Sequence, residues 1–158
     1  MISAGQPLPA FALPNQDGKQ RSLADFAGRW LVLYVYPKDD TPGCTIQGKS
    51  FTATKQEFDA ANIAVVGVSA DDVGSHKQFC NKFSLTIDLL ADPKAELLRA
   101  LGVGQTEWHG TMYWDRTTFV VDPKGIVRKV YTDVKPDGHE RMLLRDITSL
   151  QGSAATAS

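Results

Sequence analysis

Residues Trp30-Leu31-Val32-Leu33-Tyr34-Val35-Tyr36 form seven consecutive apolar positions and stop at Pro37. A strand with one wet face alternates apolar and polar residues. An unbroken apolar run rich in valine and tyrosine describes a strand covered on both faces. Ile63–Val68 (IAVVGV) repeats the pattern. The stretch between them predicts a helix over 42–60. The residue before a proline avoids helical geometry, and proline is favoured in the first helical position. Thr41-Pro42 therefore reads as N-cap and first helical residue, with the Thr41 oxygen accepting from the Cys44 N–H. Phe51 and Phe58 then share a face with Cys44.

Helices are expected over 74–83, 93–101 and 138–150. In the last, Leu143, Ile147 and Leu150 recur at helical spacing. A third strand falls between the first two of these helices. Ala10–Leu13 and Lys19–Leu23 flank the turn cluster Asn15-Gln16-Asp17-Gly18 and predict an N-terminal hairpin. Thr117–Val121 and Ile126–Tyr131 flank Asp122-Pro123-Lys124-Gly125 and predict a second one. Alternating strands and helices imply an α/β fold with a mostly parallel central sheet and helices on both faces. The closing hairpin makes that sheet mixed. The order is compatible with the thioredoxin class, and with other α/β sheets.

With 158 residues, the chain is read as one domain over 1–150 and a flexible, small and polar C-terminal tail over 151–158. Seventeen basic and eighteen acidic residues give a formal net charge of −1, and no basic block stands out. Nucleic acid and anionic membranes are poor partners for such a surface. The opening has no basic start and no apolar core of a signal peptide, and no run approaches a membrane span. The expected location is cytoplasmic. Two cysteines make no disulfide framework. His76, His109 and His139 lack ligand spacing and read as surface residues, so no metal site is expected. Gly102-Val103-Gly104 reads as a helix C-cap. Trp108, Tyr113 and Trp114 read as a loop packing on the sheet, or as one wall of a substrate site.

Cys44 carries the chemistry. In the first turn of a helix, a thiolate faces unpaired backbone N–H groups and the positive end of the helix dipole, which stabilise the anion. More thiolate gains roughly 30-fold, far short of the ~10⁶-fold that enzymes supply, so other groups must stabilise the leaving atom. A cysteine is otherwise often a small apolar filler. Its setting after Thr41-Pro42-Gly43 argues for reactivity. Cys80, within SHKQFCNKF, is too distant for a C-x-x-C motif and lies between Phe79 and Phe83. On residues alone it is either a second redox group or packed core. Arg116 reads as a charge at a strand start, and Pro37 as a strand terminator.

The stretch Tyr36–Cys44 has the form P-x-x-x-T-x-x-C, and VYPKDDTPGCT resembles the peroxiredoxins of the bacterioferritin comigratory protein and peroxiredoxin Q type. The resemblance extends through IAVVGVSAD, LLADPKAELLRALGV and RTTFVVDPKGIVRKVY, nearly the whole chain. It implies a thioredoxin-like fold. It also implies that Cys44 is the peroxidatic cysteine, Pro37 its shield, Thr41 the hydroxyl that orients the peroxide and Arg116 the arginine that polarises it. Many members carry the resolving cysteine five residues after the first, where this chain has Lys49. Cys80 then either resolves from the next helix, as in a subset of this type, or is structural in a one-cysteine enzyme. The stretch GQTEWHGTMYWD departs from the family pattern.

The implied activity is reduction of hydrogen peroxide and organic hydroperoxides through a Cys44 sulfenic acid and a Cys44–Cys80 disulfide. Thioredoxin or a similar dithiol would recycle it. No metal, haem or flavin is implied, and the chain would act as a monomer. A disulfide oxidoreductase on the same fold is disfavoured, because Thr41 stands where such enzymes place their first cysteine. A redox sensor built on Cys44 is the other alternative.

Overall fold

The computed structural model describes residues 1–157, and side chains through residue 152. An N-terminal hairpin pairs β1 (Ala12–Pro14) with β2 (Gln20–Ser22). The buried strand β3 (Trp30–Val35) leads to helices α1 (Pro42–Ala53) and α2 (Lys55–Ala60), then to β4 (Ile63–Ser69). Helix α3 (Val73–Phe83), strand β5 (Asp88–Ala91) and helix α4 (Glu96–Leu101) follow. A small hairpin of β6 (Gln105–Trp108) and β7 (Thr111–Trp114) precedes β8 (Thr117–Val121), β9 (Val127–Tyr131) and α5 (His139–Ala157).

The main sheet has the order β5-β4-β3-β8-β9. β3, β4 and β5 are parallel, and β8 and β9 run against them, which makes the mixed sheet the sequence implied. β3 lies at its centre and all six of its residues are buried. Leu31, Leu33 and Val35 join one apolar layer with Leu97, Leu98 and Leu101 of α4. Trp30, Val32 and Tyr34 join the opposite layer with Phe51, Phe58, Phe79, Leu143 and Ile147. Each such side chain contributes about 1.5–3 kcal/mol relative to exposure, so this central run fixes the two-sided architecture. Both cysteines belong to the second layer.

Several boundaries differ from expectation. The helix over 42–60 breaks at Thr54 (φ −103°, ψ 6°), whose hydroxyl donates to Ser50 O at 2.8 Å. That back-bond shares Ser50 O with the Thr54 N–H and bends the helix there. Cys44, Phe51 and Phe58 nevertheless remain in one layer. Helix α4 starts at Glu96 because Asp92 accepts from the N–H groups of Glu96 and Leu98, both at 3.0 Å. Helix α5 continues past Leu150 to Ala157, and Gln151 Nε2 donates to Ala61 O at 2.6 Å. The 105–114 stretch is a hairpin rather than a loop. His109 and Gly110 both have positive φ (50° and 80°), as a tight two-residue turn requires.

The side-chain amide of Gln16 donates to Ile87 O at 3.0 Å and accepts from Leu89 N at 2.9 Å, lying along the outer side of β5. Among the described residues no helix is long and apolar enough to cross a membrane.

Candidate active site

The loop after β3 carries Pro37 to Thr41 and delivers the chain to α1. Asp40 takes positive φ (58°), and Thr41 is extended (φ −100°, ψ 156°), as the following proline demands. Thr41 O accepts from Thr45 N at 2.9 Å, the first bond of the helix. The Thr41 hydroxyl does not take the Cys44 N–H as expected. It donates to Lys38 O at 2.8 Å, and α1 has no side-chain cap. With its hydrogen committed, that oxygen is left as an acceptor.

Arg116, between β7 and β8, is half-buried, and its Nη1 donates to Gln47 Oε1 at 2.7 Å. Its guanidinium lies against Gly43. A Cβ there would collide with Nη2 and stand 2.9 Å from Cζ and 3.3 Å from Pro136 Cγ, so only glycine lets the arginine approach the start of α1. Gln47 was not singled out from sequence. Its position one turn after Cys44, polar on a face shared with Phe51, was the available signal. It is 1% exposed, and its Nε2 has no hydrogen-bond partner among the described residues.

Pro37, Thr41, Gly43 and Arg116 line one side of a cavity of about 400 Å³. Trp108, Tyr113 and Trp114 from the β6–β7 hairpin line the other. The aromatic cluster is therefore a cavity wall carried on a hairpin, and Trp114 also packs against the apolar layer that holds Leu31, Leu33 and Val35. Cys44 directly follows Gly43 and is buried as a free thiol. The structure brings Pro37, Thr41 and Arg116 together beside the start of its helix.

Neither cysteine is among the residues lining this cavity; Cys80, like Cys44, is a free and buried thiol. Burial above all, with the charges of Asp39 and Asp17 adding, pushes its thiol up to about 12. Burial above all, with Cys44 and Cys80 adding, raises the Tyr34 phenol well above its ordinary value.

Two histidines are not surface residues. His76 is fully buried on α3, bonded to Asp39 Oδ2 at 2.6 Å and to Leu90 O at 2.8 Å. His139 is buried at the start of α5, with Nε2 2.9 Å from Thr118 Oγ1, and burial lowers it to about 4. Only His109 is exposed. Asp39, Asp71 and His76 hold ligand-type atoms within 4.8 Å of one another. Each already has protein partners: Tyr36 and Ser75 donate to Asp39, and Ser69 Oγ and Asp39 N donate to Asp71. The group reads as a saturated hydrogen-bond network rather than a metal cage.

Residues 4–130 match the AhpC/TSA family model. A Helicobacter pylori protein named as a bcp peroxiredoxin is 38% identical over 92% of this chain and 98% of its own length. Peroxiredoxin Q of Populus jackii chloroplasts is 39% identical over 94% of this chain and 70% of its own. Among solved structures, a mutant of Xylella fastidiosa PrxQ superposes with a TM-score of 0.90 at 30% identity, covering 96% of this chain and 98% of that one. The bacterioferritin comigratory protein of Xanthomonas campestris, studied for alkyl peroxide reduction, gives 0.85 at 36% identity, covering 92% and 98%. These similarities span the strand, the motif and the arginine whose geometry is described above, and the chain belongs to the AhpC/TSA family, as a thioredoxin-fold peroxiredoxin of the bacterioferritin comigratory protein and peroxiredoxin Q type.

Proposed function

We propose that this peroxiredoxin reduces hydrogen peroxide and organic hydroperoxides at Cys44 and closes a Cys44–Cys80 disulfide in each cycle. The observation that carries the reading is the convergence of Thr41 and Arg116 on one cavity at the helix start that bears Cys44. The Cys44 thiolate attacks one peroxide oxygen, the O–O bond breaks, and the other oxygen leaves as alkoxide or hydroxide and takes a proton. Sulfur is oxidised to sulfenic acid. Arg116 is the donor for the charge that develops on the leaving oxygen. The Thr41 oxygen, whose own hydrogen goes to Lys38 O, accepts the peroxide O–H and sets its orientation. Pro37 shields the thiolate from water.

Cys80 then displaces hydroxide from the sulfenic sulfur, forming the disulfide and water. A thiol held near 12 is thiolate in only about one molecule in 10⁵ at pH 7, so resolution calls for Cys80 to leave its apolar surroundings. Disulfide geometry asks for Cα atoms within about 7 Å, which two separate helices reach by partial unwinding. Thioredoxin or a similar dithiol restores both thiols. The protein works as a cytoplasmic monomer. The burial of Cys80 also favours a second reading, a one-cysteine peroxidase in which it is core.

Intact-mass measurement after one equivalent of peroxide separates the two readings. The disulfide route predicts a net loss of two hydrogens. Cys80→Ser is expected to stop instead at one added oxygen, to lose thioredoxin-dependent cycling and to proceed to sulfinic acid with more peroxide. A Cys80→Ser protein that cycles normally with thioredoxin establishes the one-cysteine reading.

The aromatic wall supports organic hydroperoxides as substrates, since hydrogen peroxide has no apolar part to place there. Trp108, 64% exposed on that wall, can lose its ring without opening the core. Trp108→Ala is expected to raise KM for cumene hydroperoxide by about tenfold, the loss of one aromatic contact, with KM for hydrogen peroxide unmoved. Equal changes for both substrates would remove the wall from recognition.

A further inference from the structure

The buried network behind the cavity joins both cysteine-bearing segments. Asp39 is 7% exposed and sits in the loop before Cys44. Its Oδ1 accepts from Tyr36 OH at 2.6 Å, and its Oδ2 accepts from Ser75 Oγ at 2.8 Å and meets His76 Nδ1 at 2.6 Å. Its N–H donates to Asp71 Oδ2 at 2.9 Å, at the end of β4. His76 Nε2 meets Leu90 O at 2.8 Å, on β5. A carbonyl can only accept, so Nε2 carries a hydrogen. The short Nδ1–Oδ2 contact needs a second one between ring and carboxylate. The junction thus ties the peroxidatic loop to α3 and to the sheet with charge-assisted bonds away from water.

Both sulfurs start from this point. Cys44 is five residues beyond Asp39, and Cys80 is four beyond His76. Past the junction the α3 arm is held on its polar side by exposed pairs only, Lys77 with Asp17 at 2.7 Å and Lys82 with Asp40 at 2.8 Å. Exposed pairs of this kind contribute little, whereas separating a buried pair is costly. The arms also carry Phe79 and the two cysteines in the second apolar layer, so opening them exposes apolar surface, whereas opening the root would separate a buried ion pair as well. Arms of five and four residues, at about 3.3 Å per residue, reach each other easily while the root holds. A common anchor of this kind keeps the effective concentration of one sulfur near the other high.

Resting on the disulfide reading proposed above, we infer that His76 is a positioning residue for the resolving step: with Asp39 and Ser75 it roots both cysteine arms, so that local unwinding brings Cys80 to the Cys44 sulfenic acid. It touches neither the peroxide nor either sulfur.

The test compares the rate of disulfide formation with the rate of Cys44 oxidation in the full chain, by rapid quench and intact mass, using hydrogen peroxide. His76→Leu fills the space without a donor and should lower the ratio about tenfold, with a matching fall in the peroxide concentration that converts half of Cys44 to sulfinic acid. His76→Asn places an amide donor where Nδ1 stands and should restore most of the ratio, although it loses the Leu90 bond. A purely structural loss would slow Cys44 oxidation and disulfide formation together and leave their ratio unmoved. Ser75→Ala, which removes one bond to Asp39, should fall between wild type and His76→Leu, and serves where His76→Leu does not fold. A wild-type ratio in His76→Leu, or in Ser75→Ala if that variant stands alone, overturns the inference, as does Asn performing no better than Leu. A wild-type chain that takes up one oxygen and forms no disulfide removes the disulfide reading itself.

Discussion

Cys44→Ser is expected to abolish peroxide consumption while leaving the fold intact. Serine is nearly isosteric, so the tight layer of Tyr34, Phe51 and Phe79 around position 44 keeps its packing. The hydroxyl, however, is not appreciably ionised near neutral pH and is a poor nucleophile toward O–O bonds. Removing the attacking atom forfeits most of the enzymatic acceleration, typically about 10⁶-fold or more. The check is peroxide consumption under single-turnover conditions, with circular dichroism and thermal unfolding as folding controls. Near-normal consumption by a folded Cys44→Ser protein would place the chemistry elsewhere.

Arg116→Ala comes next in size. The guanidinium bonds Gln47 through Nη1 and lies over Gly43, so it is aimed by one side chain and admitted by the absence of another. A preorganised donor of this kind acts on charge that exists only in the transition state. Its removal is expected to lower kcat/KM for peroxide by about 10²–10³-fold. Because a cation near the sulfur also favours thiolate, rates belong at a pH where both proteins are fully ionised at Cys44. A remaining deficit there measures the donor role. Equal rates would reduce Arg116 to a group that only favours ionisation.

The parts of this molecule legible from sequence are those fixed by short-range rules. The run 30–36 could only be a strand covered on both sides, and both apolar layers are built from it. Thr41-Pro42 located the start of α1 to the residue. The hairpin 117–131 followed from its turn residues. What escaped depends on partners distant in the chain. A histidine looks like a surface residue until Asp39, from the loop after β3, and Leu90, from β5, are brought to it. The Thr41 hydroxyl gives its hydrogen to Lys38 O, and its oxygen does not reach the Cys44 N–H, a rotamer choice that the motif does not reveal. The β6–β7 strands show no periodicity, because β6 is exposed throughout and β7 is half-buried at most, so only His109-Gly110 could have announced the turn. Of the candidate site, Cys44, Pro37, Thr41 and Arg116 were visible through the motif and its flanks. Gln47 was not, and the aromatic wall was visible only as one of two readings of Trp108, Tyr113 and Trp114, since each is defined by what faces it across the cavity.

The amide of Gln16 beside β5 bears on how the sheet ends. β5 is the last strand on its side, and a bare outer edge there would offer N–H and C=O groups as a template for a foreign strand. Gln16 occupies that template with its own amide, donor to Ile87 and acceptor from Leu89. Asn15 adds a bond to Asp88. At the opposite edge the N-terminal segment bonds the start of β9, with Gly5 N donating to Val127 O at 2.8 Å and Val127 N to Gln6 O at 2.9 Å, and Arg128 and Lys129 pair with Asp122 and Asp146. One border is plugged by a side chain and the other is covered at its start by the N-terminal segment, so the unwinding proposed for the disulfide step would leave the most aggregation-prone edges of the sheet closed.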